Sequence, residues 1–428
     1  MKHIILLFIF CFSTFSSFSQ SNPSKEGKKK KLEVIGYYAN WQHYKRSNLF
    51  VHTKADFSKY TIINYAFMSP DANGTIVQND PTSDAVLLEG EIDWDNTEDP
   101  ENPAYVPYTN MVSTCHAVGT KVMMSLGGWT LSTYFPGVAA DAKKRSHFAG
   151  ECKRICRKWD LDGIDVDWEF PGAKSSNGTI GGPDDTKNFN LMMAEIRDSL
   201  NVLEKTTNKD YLLTAAFHSV PSLAKHIDWK WAAENLDYIN LFGYDFYGAW
   251  NDKAISQAPL YAPECGEENV NQHDGMMLLI DKYKVPREKI ILGIGFYGRS
   301  LTGFKGEVAL CALHTPDEVD TEIFALEEGT PSYFSILRYM SLFERKWDEK
   351  GQVPYLVGKN VKTFVGYDDQ LSVRLKAEHI INEGCAGCLI WDVAQDWVEV
   401  PIGSGQVFDT PLINVINEVF YLENNYTR

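Results

Sequence analysis

The sequence predicts an α/β protein, a (β/α)8 TIM barrel with a small α+β insertion between its seventh and eighth strands. Three observations carry this. Eight short, apolar, β-rich segments recur along the chain. Helical periodicity fills several of the gaps, and strands alternating with helices make a parallel sheet covered on both faces. One gap, between the seventh and eighth segments, runs to roughly ninety residues where a crossover needs about a dozen. Eight such units favour a closed barrel over the alternative, a doubly wound open sheet.

The elements follow in order. "MKHIILLFIFCFSTFSSFSQ" has a positive start at Lys2, an apolar run from Ile4 to Phe15 and small residues from Ser16 to Ser19. This is the pattern of a secretory signal peptide over residues 1–19, too short in its apolar run to favour a spanning helix. Residues 20–31, with the basic run Lys28 to Lys31, read as a solvated linker. The barrel is expected over 32–300 and 365–428. Its strands are "LEVIGYY", "YTIINYAF", "KVMMSLGG", "GIDVDWEF", "YLLTAAF", "YINLFGY", "KIILGIGFYG" and "GCLIWDV". Between them, "KNFNLMMAEIRDSLNVLEK", "DGMMLLIDKYK" and "SVRLKAEHIINEG" place apolar residues three and four apart, and Gly384 stops the last. The acidic stretch from Asp80 to Tyr105 reads as a long surface loop. The insertion is expected over 301–364, leaving the C-terminal end of the seventh strand, where barrel active sites are built.

Composition bounds the function. A hydrophobic share of 44% with 23% charged residues suits a globular chain with a large core. A net charge of −16 repels nucleic acid and anionic membranes, so neither is expected as a partner, and no membrane anchor is expected. An aromatic share of 13% serves a sugar-binding cleft or a well-packed core equally. Beyond the signal segment stand seven cysteines: Cys115, Cys152, Cys156, Cys265, Cys311, Cys385 and Cys388. Export permits disulfides, but an odd count leaves a thiol free. Cys265 and Cys311 could pair across a loop; Cys385 and Cys388 read as buried thiols. The ten histidines show no ligand-like spacing, and no metal or organic cofactor is expected.

The fourth strand is anomalous. In "LDGIDVDWEFPG", Asp162, Asp165, Asp167 and Glu169 stand among apolar neighbours. Side chains alternate across a strand, so Asp165, Asp167 and Glu169 share one face while Ile164, Val166 and Trp168 share the other. In a barrel the carboxylates point inward and climb ~6–7 Å per pair of residues towards the mouth. Packed carboxylates cannot all ionise, and repulsion with desolvation leaves at least one protonated near neutral pH. That turns a glutamic acid at the rim into a general acid. Asp162, at the strand's start, suits a structural role.

The spacing Asp162-x-x-Asp165-x-Asp167-x-Glu169 resembles the signature of glycoside hydrolase family 18, the chitinases and their relatives. Further motifs resemble the family's strands in register: "GYYANWQHY" the first, "KVMMSLGGWT" the third, "LFGYDFYGAW" the sixth, "LGIGFYGRS" the seventh and "CLIWDV" the eighth. Phe242 departs from the methionine that many relatives carry before the Tyr-Asp pair, which bears on cavity shape.

The resemblance implies a secreted enzyme cleaving β-1,4 links between N-acetylglucosamine units of chitin or its oligosaccharides, with retention, using the substrate's own acetamide as nucleophile. It implies Glu169 as acid and base, Asp167 as acetamide-orienting stabiliser, Asp165 as its partner, and Tyr244 as holder of the acetamide oxygen. Trp391 would carry the sugar at the cleavage point, its indole against a pyranose C–H face; barrel core is the alternative. Asp245, Arg299, Trp41, Trp129, Trp250, Gly128, Phe67 and Tyr37 would line the cleft. Arg299 could equally pair with Asp245 to shape the wall. At most one of Tyr37 and Tyr38 should face inward. The chain is expected to act as a monomer. The rival functions are an endo-β-N-acetylglucosaminidase using the same acids on N-glycan cores, and a lectin or inhibitor-type protein on this fold, which the presence of Glu169 argues against.

Overall fold

The computed structural model describes residues 31–45, 52–90, 109–174, 178–405 and 408–428. The expected signal segment, the expected linker up to Lys30 and much of the acidic stretch lie outside them. Eight parallel strands form the central sheet: β1 Glu33–Ala39, β2 Ile62–Pro70, β3 Lys121–Gly127, β4 Gly163–Asp167, β5 Leu212–His218, β6 Tyr238–Phe242, β7 Ile290–Gly295 and β8 Gly387–Trp391. Each pairs with its sequence neighbour, and β1 pairs with both β8 and β2, so the sheet closes. A short strand, Ile76–Gln78, adds antiparallel to β2.

The helices around it begin and stop where side chains supply the missing bonds. Asp141 accepts from the amides of Lys143 and Lys144 to start α1, Ala142–Lys158. The long α2, Asp185–Thr207, ends at Asn208 in the left-handed region. Next comes α3, Gln272–Met277, capped by Asn271. Asp369 and Ser372 form a reciprocal capping box on α4, Gln370–Glu383, and Gly384 ends it at φ 72°.

Alternation along the strands separates two cores. Outward residues such as Ile164, Val166 and Trp168 join one continuous cluster with the helices, including Phe148, Phe189 and Ile196. Each such side chain, fully buried, contributes about 1.5–3 kcal/mol. Inward residues, among them Ile35, Tyr37, Ile62, Met123, Ile291 and Leu389, fill the barrel.

Two expectations need correction. The acidic stretch opens with helical turns over Pro81–Glu89, burying Leu87 and Leu88, so its first third packs rather than loops out. The reason is visible in "AVLLE", whose apolar residues reach the outer core. The fourth strand ends at Asp167, so Glu169 sits in the turn beyond it rather than on the strand.

Between β7 and β8 lies a four-stranded antiparallel sheet, in spatial order 343–348, 353–358, 364–366 and 299–301. A helix, Tyr333–Tyr339, precedes its first long strand. The sheet thus reaches back to Arg299 and on to Gly366. A disulfide joins Cys265, in the segment after β6, to Cys311 in this region. Cys115, Cys152, Cys156, Cys385 and Cys388 are buried thiols outside this disulfide.

Candidate active site

The barrel's mouth is built on β4. Asp165 is fully buried and accepts four hydrogen bonds: from Tyr37 (2.7 Å), Ser125 (2.8 Å), Thr214 (2.6 Å) and Asn240 (2.9 Å). The register explains the convergence, because Ser125, Asp165 and Thr214 are direct neighbours across β3, β4 and β5. Burial pushes the Asp165 carboxyl up, and the four donors pull it back towards ionisation.

One step closer to the rim, Asp167 is also buried, and its Oδ1 has no hydrogen-bond partner. Burial first, then the neighbouring Glu169 and Asp165, push its carboxyl well above the usual range. Ser132 shapes the turn that follows. Its hydroxyl donates to the carbonyls of Gly128 and Asp167, and it accepts the Glu169 amide at 2.9 Å. Glu169 is held over the mouth by that turn, and burial together with the charge of Asp245 raises its carboxyl to about 8. At neutral pH this glutamic acid keeps a proton.

Tyr244 closes the group from the end of β6. Burial and the charges of Asp167, Asp245, Glu169 and Asp165 keep its phenol neutral. Beside it Asp245 pairs with Arg299 through two contacts, 2.9 Å from Nε and 2.8 Å from Nη2. Burial opposes the Asp245 charge, but Arg299 more than compensates and holds the carboxyl below its ordinary value. Arg299 belongs to the insertion sheet, so the insertion supplies one partner of this pair.

On the opposite side stands an aromatic cradle. Trp391, at the end of β8, is stacked with Phe67 at 5.6 Å and 19°, and meets Tyr37 at 5.3 Å and Trp41 at 6.2 Å. Gln42 donates to Asp392 at 3.0 Å, tying the turn that carries Trp41 to the residue after Trp391. Phe67 points inward through a register irregularity between Tyr65 and Met68, where simple alternation would turn it outward. Gly128 gives it room: a Cβ there would lie 2.7 Å from the Phe67 ring, and φ is +84°. Gly128 therefore shapes the cleft through the absence of a side chain.

The remaining aromatics are more exposed. Trp129 (46%) lies 6.4 Å from Phe170, and Trp250 (49%) lies over Arg299 at 5.2 Å. A groove of about 930 Å³ starts at Trp41 and Trp391 and runs along the insertion past Phe334, Arg338 and Leu326. Tyr38 points away, into the outer core against Phe57. Asp162 sits at the far end of β4, accepting from the Val122 amide and His116 and pairing with Lys209 at 3.0 Å.

Several residues escaped the sequence reading. Thr214, Asn240, Ser132 and Tyr297 all touch this constellation, Tyr297 bonding to Asp245 and lying 5.9 Å from Tyr244. Thr214 and Asn240 had a signal: each is a polar residue at an inward position of an otherwise apolar strand. Ser132 and Tyr297 had none, because a turn and a strand end place them.

Comparisons with known proteins fit this geometry. Residues 33–396 match the family model described as glycosyl hydrolases family 18. The chain is similar to Chitinase A1 of Niallia circulans, 29% identical over 87% of this chain and 58% of that protein. It is similar to a probable endochitinase of Caenorhabditis elegans, 30% identical over 89% of this chain and 59% of the relative. The chain thus spans less than two thirds of the length of either curated relative. Among solved structures it resembles the Group IV chitinase of Ostrinia furnacalis in complex with allosamidin, with a TM-score of 0.77 and 25% identity, covering 93% of this chain and 100% of that one.

Proposed function

The chain belongs to glycosyl hydrolase family 18, and from that premise we propose that it is a secreted, monomeric chitinase, cleaving β-1,4 links between N-acetylglucosamine units with retention. The observation that carries the reading is the graded row of carboxyls. Asp165 has four donors to support its charge, Asp167 next to it has an unpartnered oxygen, and Glu169 keeps a proton to about 8. Such a site suits a substrate that brings its own nucleophile, because it offers a proton donor and a stabiliser but no side chain poised to attack.

In this reading a pyranose rests on Trp391 within the cradle of Tyr37, Trp41 and Phe67. Glu169 donates its proton to the glycosidic oxygen, and the departing sugar leaves as an alcohol. The acetamide oxygen attacks the anomeric carbon and forms an oxazolinium ion. The unpartnered Asp167 Oδ1 receives the acetamide N–H as the positive charge develops, while Tyr244 donates to the acetamide oxygen. Glu169, now ionised, takes a proton from water as the water opens the ring. Asp245, Arg299, Trp129, Trp250 and Gly128 shape the rest of the cleft, and Asp162 fixes the base of the strand. The region 301–364 acts as a wall for a chain of several sugars, which the groove alongside Trp391 supports. Export follows from the apolar segment at residues 1–19, and suits a polymer that cannot enter a cell.

The test uses a chitin hexamer with anomers resolved by NMR. The β-anomer should form first. Glu169→Gln should lower kcat by ~100-fold or more with near-UV circular dichroism unchanged. Full turnover in that variant, or release of the α-anomer, would sink the assignment. Faster cleavage of a high-mannose glycoprotein than of the hexamer would move the substrate to N-glycan cores.

A further inference from the structure

The fold assembles a second group of chemically capable side chains, on the outside of the barrel and away from the carboxyl row. His379 and Glu383 are one turn apart on α4 and therefore share a face. His273, on α3, faces them. The ligand-capable atoms of the three all lie within 4.8 Å of one another. The sequence alone shows no such grouping, because His273 stands 106 residues before His379.

The distances decide what the group suits. His273 Nδ1 and His379 Nε2 are 3.4 Å apart, long for a hydrogen bond between two ring nitrogens. A tetrahedral zinc ion with bonds of about 2.0–2.1 Å separates two nitrogen ligands by about 3.3 Å. Two imidazoles and one carboxylate are a donor set that zinc accepts readily, with a fourth position left for water.

The surroundings hold the ligands in place. The Tyr261 ring covers one side, 5.3 Å from His273 and 5.7 Å from His379. The backbone amide of His273 donates to Leu260 at 2.9 Å, and Lys376, one turn before His379, donates to Ala258 at 2.7 Å. The first bond ties α3 to the segment after β6, and the second fastens that segment to α4. Arg287 donates to the Glu383 carbonyl at 3.0 Å and to its Oε2, leaving Oε1 as the candidate ligand atom. Its positive charge opposes a cation, so the site is weaker than a structural zinc centre while its carboxylate is better oriented.

We propose that His273, His379 and Glu383 form a zinc-binding site that staples the segment after β6 to the helix leading into β8. The site is independent of the hydrolytic reading. Zinc there stabilises the wall of the barrel and leaves the chemistry at Glu169 unchanged.

The experiment uses the full chain without an affinity tag, stripped with chelator. Titration with Zn2+ should give one equivalent bound with Kd below about 10 µM, and Co2+ should produce tetrahedral-type visible absorption. Tm should rise on Zn2+ addition and return with chelator. The double variant His273→Asn/His379→Gln should weaken binding ~100-fold, and Glu383→Gln ~10-fold, with oligosaccharide turnover retained as the sign of correct folding. Absence of saturable Zn2+ binding at about 100 µM, or binding undiminished in Glu383→Gln and the double variant alike, would overturn the proposal.

Discussion

Two buried carboxylates, in different parts of this molecule, are treated in opposite ways. Asp368 lies where the insertion rejoins the barrel, and Lys376 reaches both of its oxygens at 2.6 Å with neither side chain exposed. Asp167 lies at the mouth, equally hidden, with one oxygen unpartnered and only other acids as charged neighbours. Burial pushes Asp368 up and Lys376 down, and their mutual attraction opposes both shifts. At Asp167 burial and neighbours act in the same direction. Where a carboxylate only has to hold two segments together, a cation neutralises it. At the mouth, where the proposed mechanism has a carboxyl meet the substrate, the cation is withheld and the protein keeps the electrostatic cost.

The largest test removes the cation from the neutralised site. Lys376→Met should destabilise the fold by about 3–5 kcal/mol, measured by denaturant unfolding, because Asp368 is left buried without its partner. Adding Asp368→Asn should recover most of that loss, since the uncompensated charge is then gone. Recovery of nothing would mean that packing, rather than charge, makes the two sites differ.

The second test neutralises the unpaired site. Asp167→Asn should cost ~100-fold in kcat on chitin oligosaccharides yet raise Tm at pH 7. The sign follows from linkage. A carboxyl whose folded pKa is raised contributes stability below its unfolded pKa, and that stability is lost as pH rises through the folded value. The variant's advantage should therefore shrink as pH falls through about 4, the unfolded aspartate's own range, below which wild-type Asp167 is protonated in both states. A Tm below wild type at pH 7 would contradict the comparison.

The smallest effect concerns the neighbour of the Glu169 proton. In the proposed mechanism Glu169 must be protonated to act as acid, so kcat/KM should fall as pH rises through about 8. Asp245 contributes to that raised value, and Asp245→Asn should move the alkaline limb to lower pH. The freed charge of Arg299 acts in the same direction. An unmoved limb would assign the raised value to burial alone.

Much of this was readable along the chain. The eight strands and the acidic spacing needed only local periodicity, since each strand's two faces alternate whatever lies across from them. The same rule allowed at most one of Tyr37 and Tyr38 to face inward, and the structure turns Tyr37 in and Tyr38 out. It failed for Phe67, where an irregular register between Tyr65 and Met68 overrides alternation. It does not extend to Glu169, because β4 stops at Asp167 and Ser132 fixes the turn beyond.

The sequence by itself determined the order of the strands and the clustering of carboxyls on the fourth, both properties of short windows. Only the tertiary structure decided that Asp165 would be met by donors from β1, β3, β5 and β6, that Arg299 would reach Asp245, and that His273 would stand beside His379. Barrel closure brings the ends of distant strands to one mouth and distant helices side by side, and no local pattern encodes which side chains then face each other.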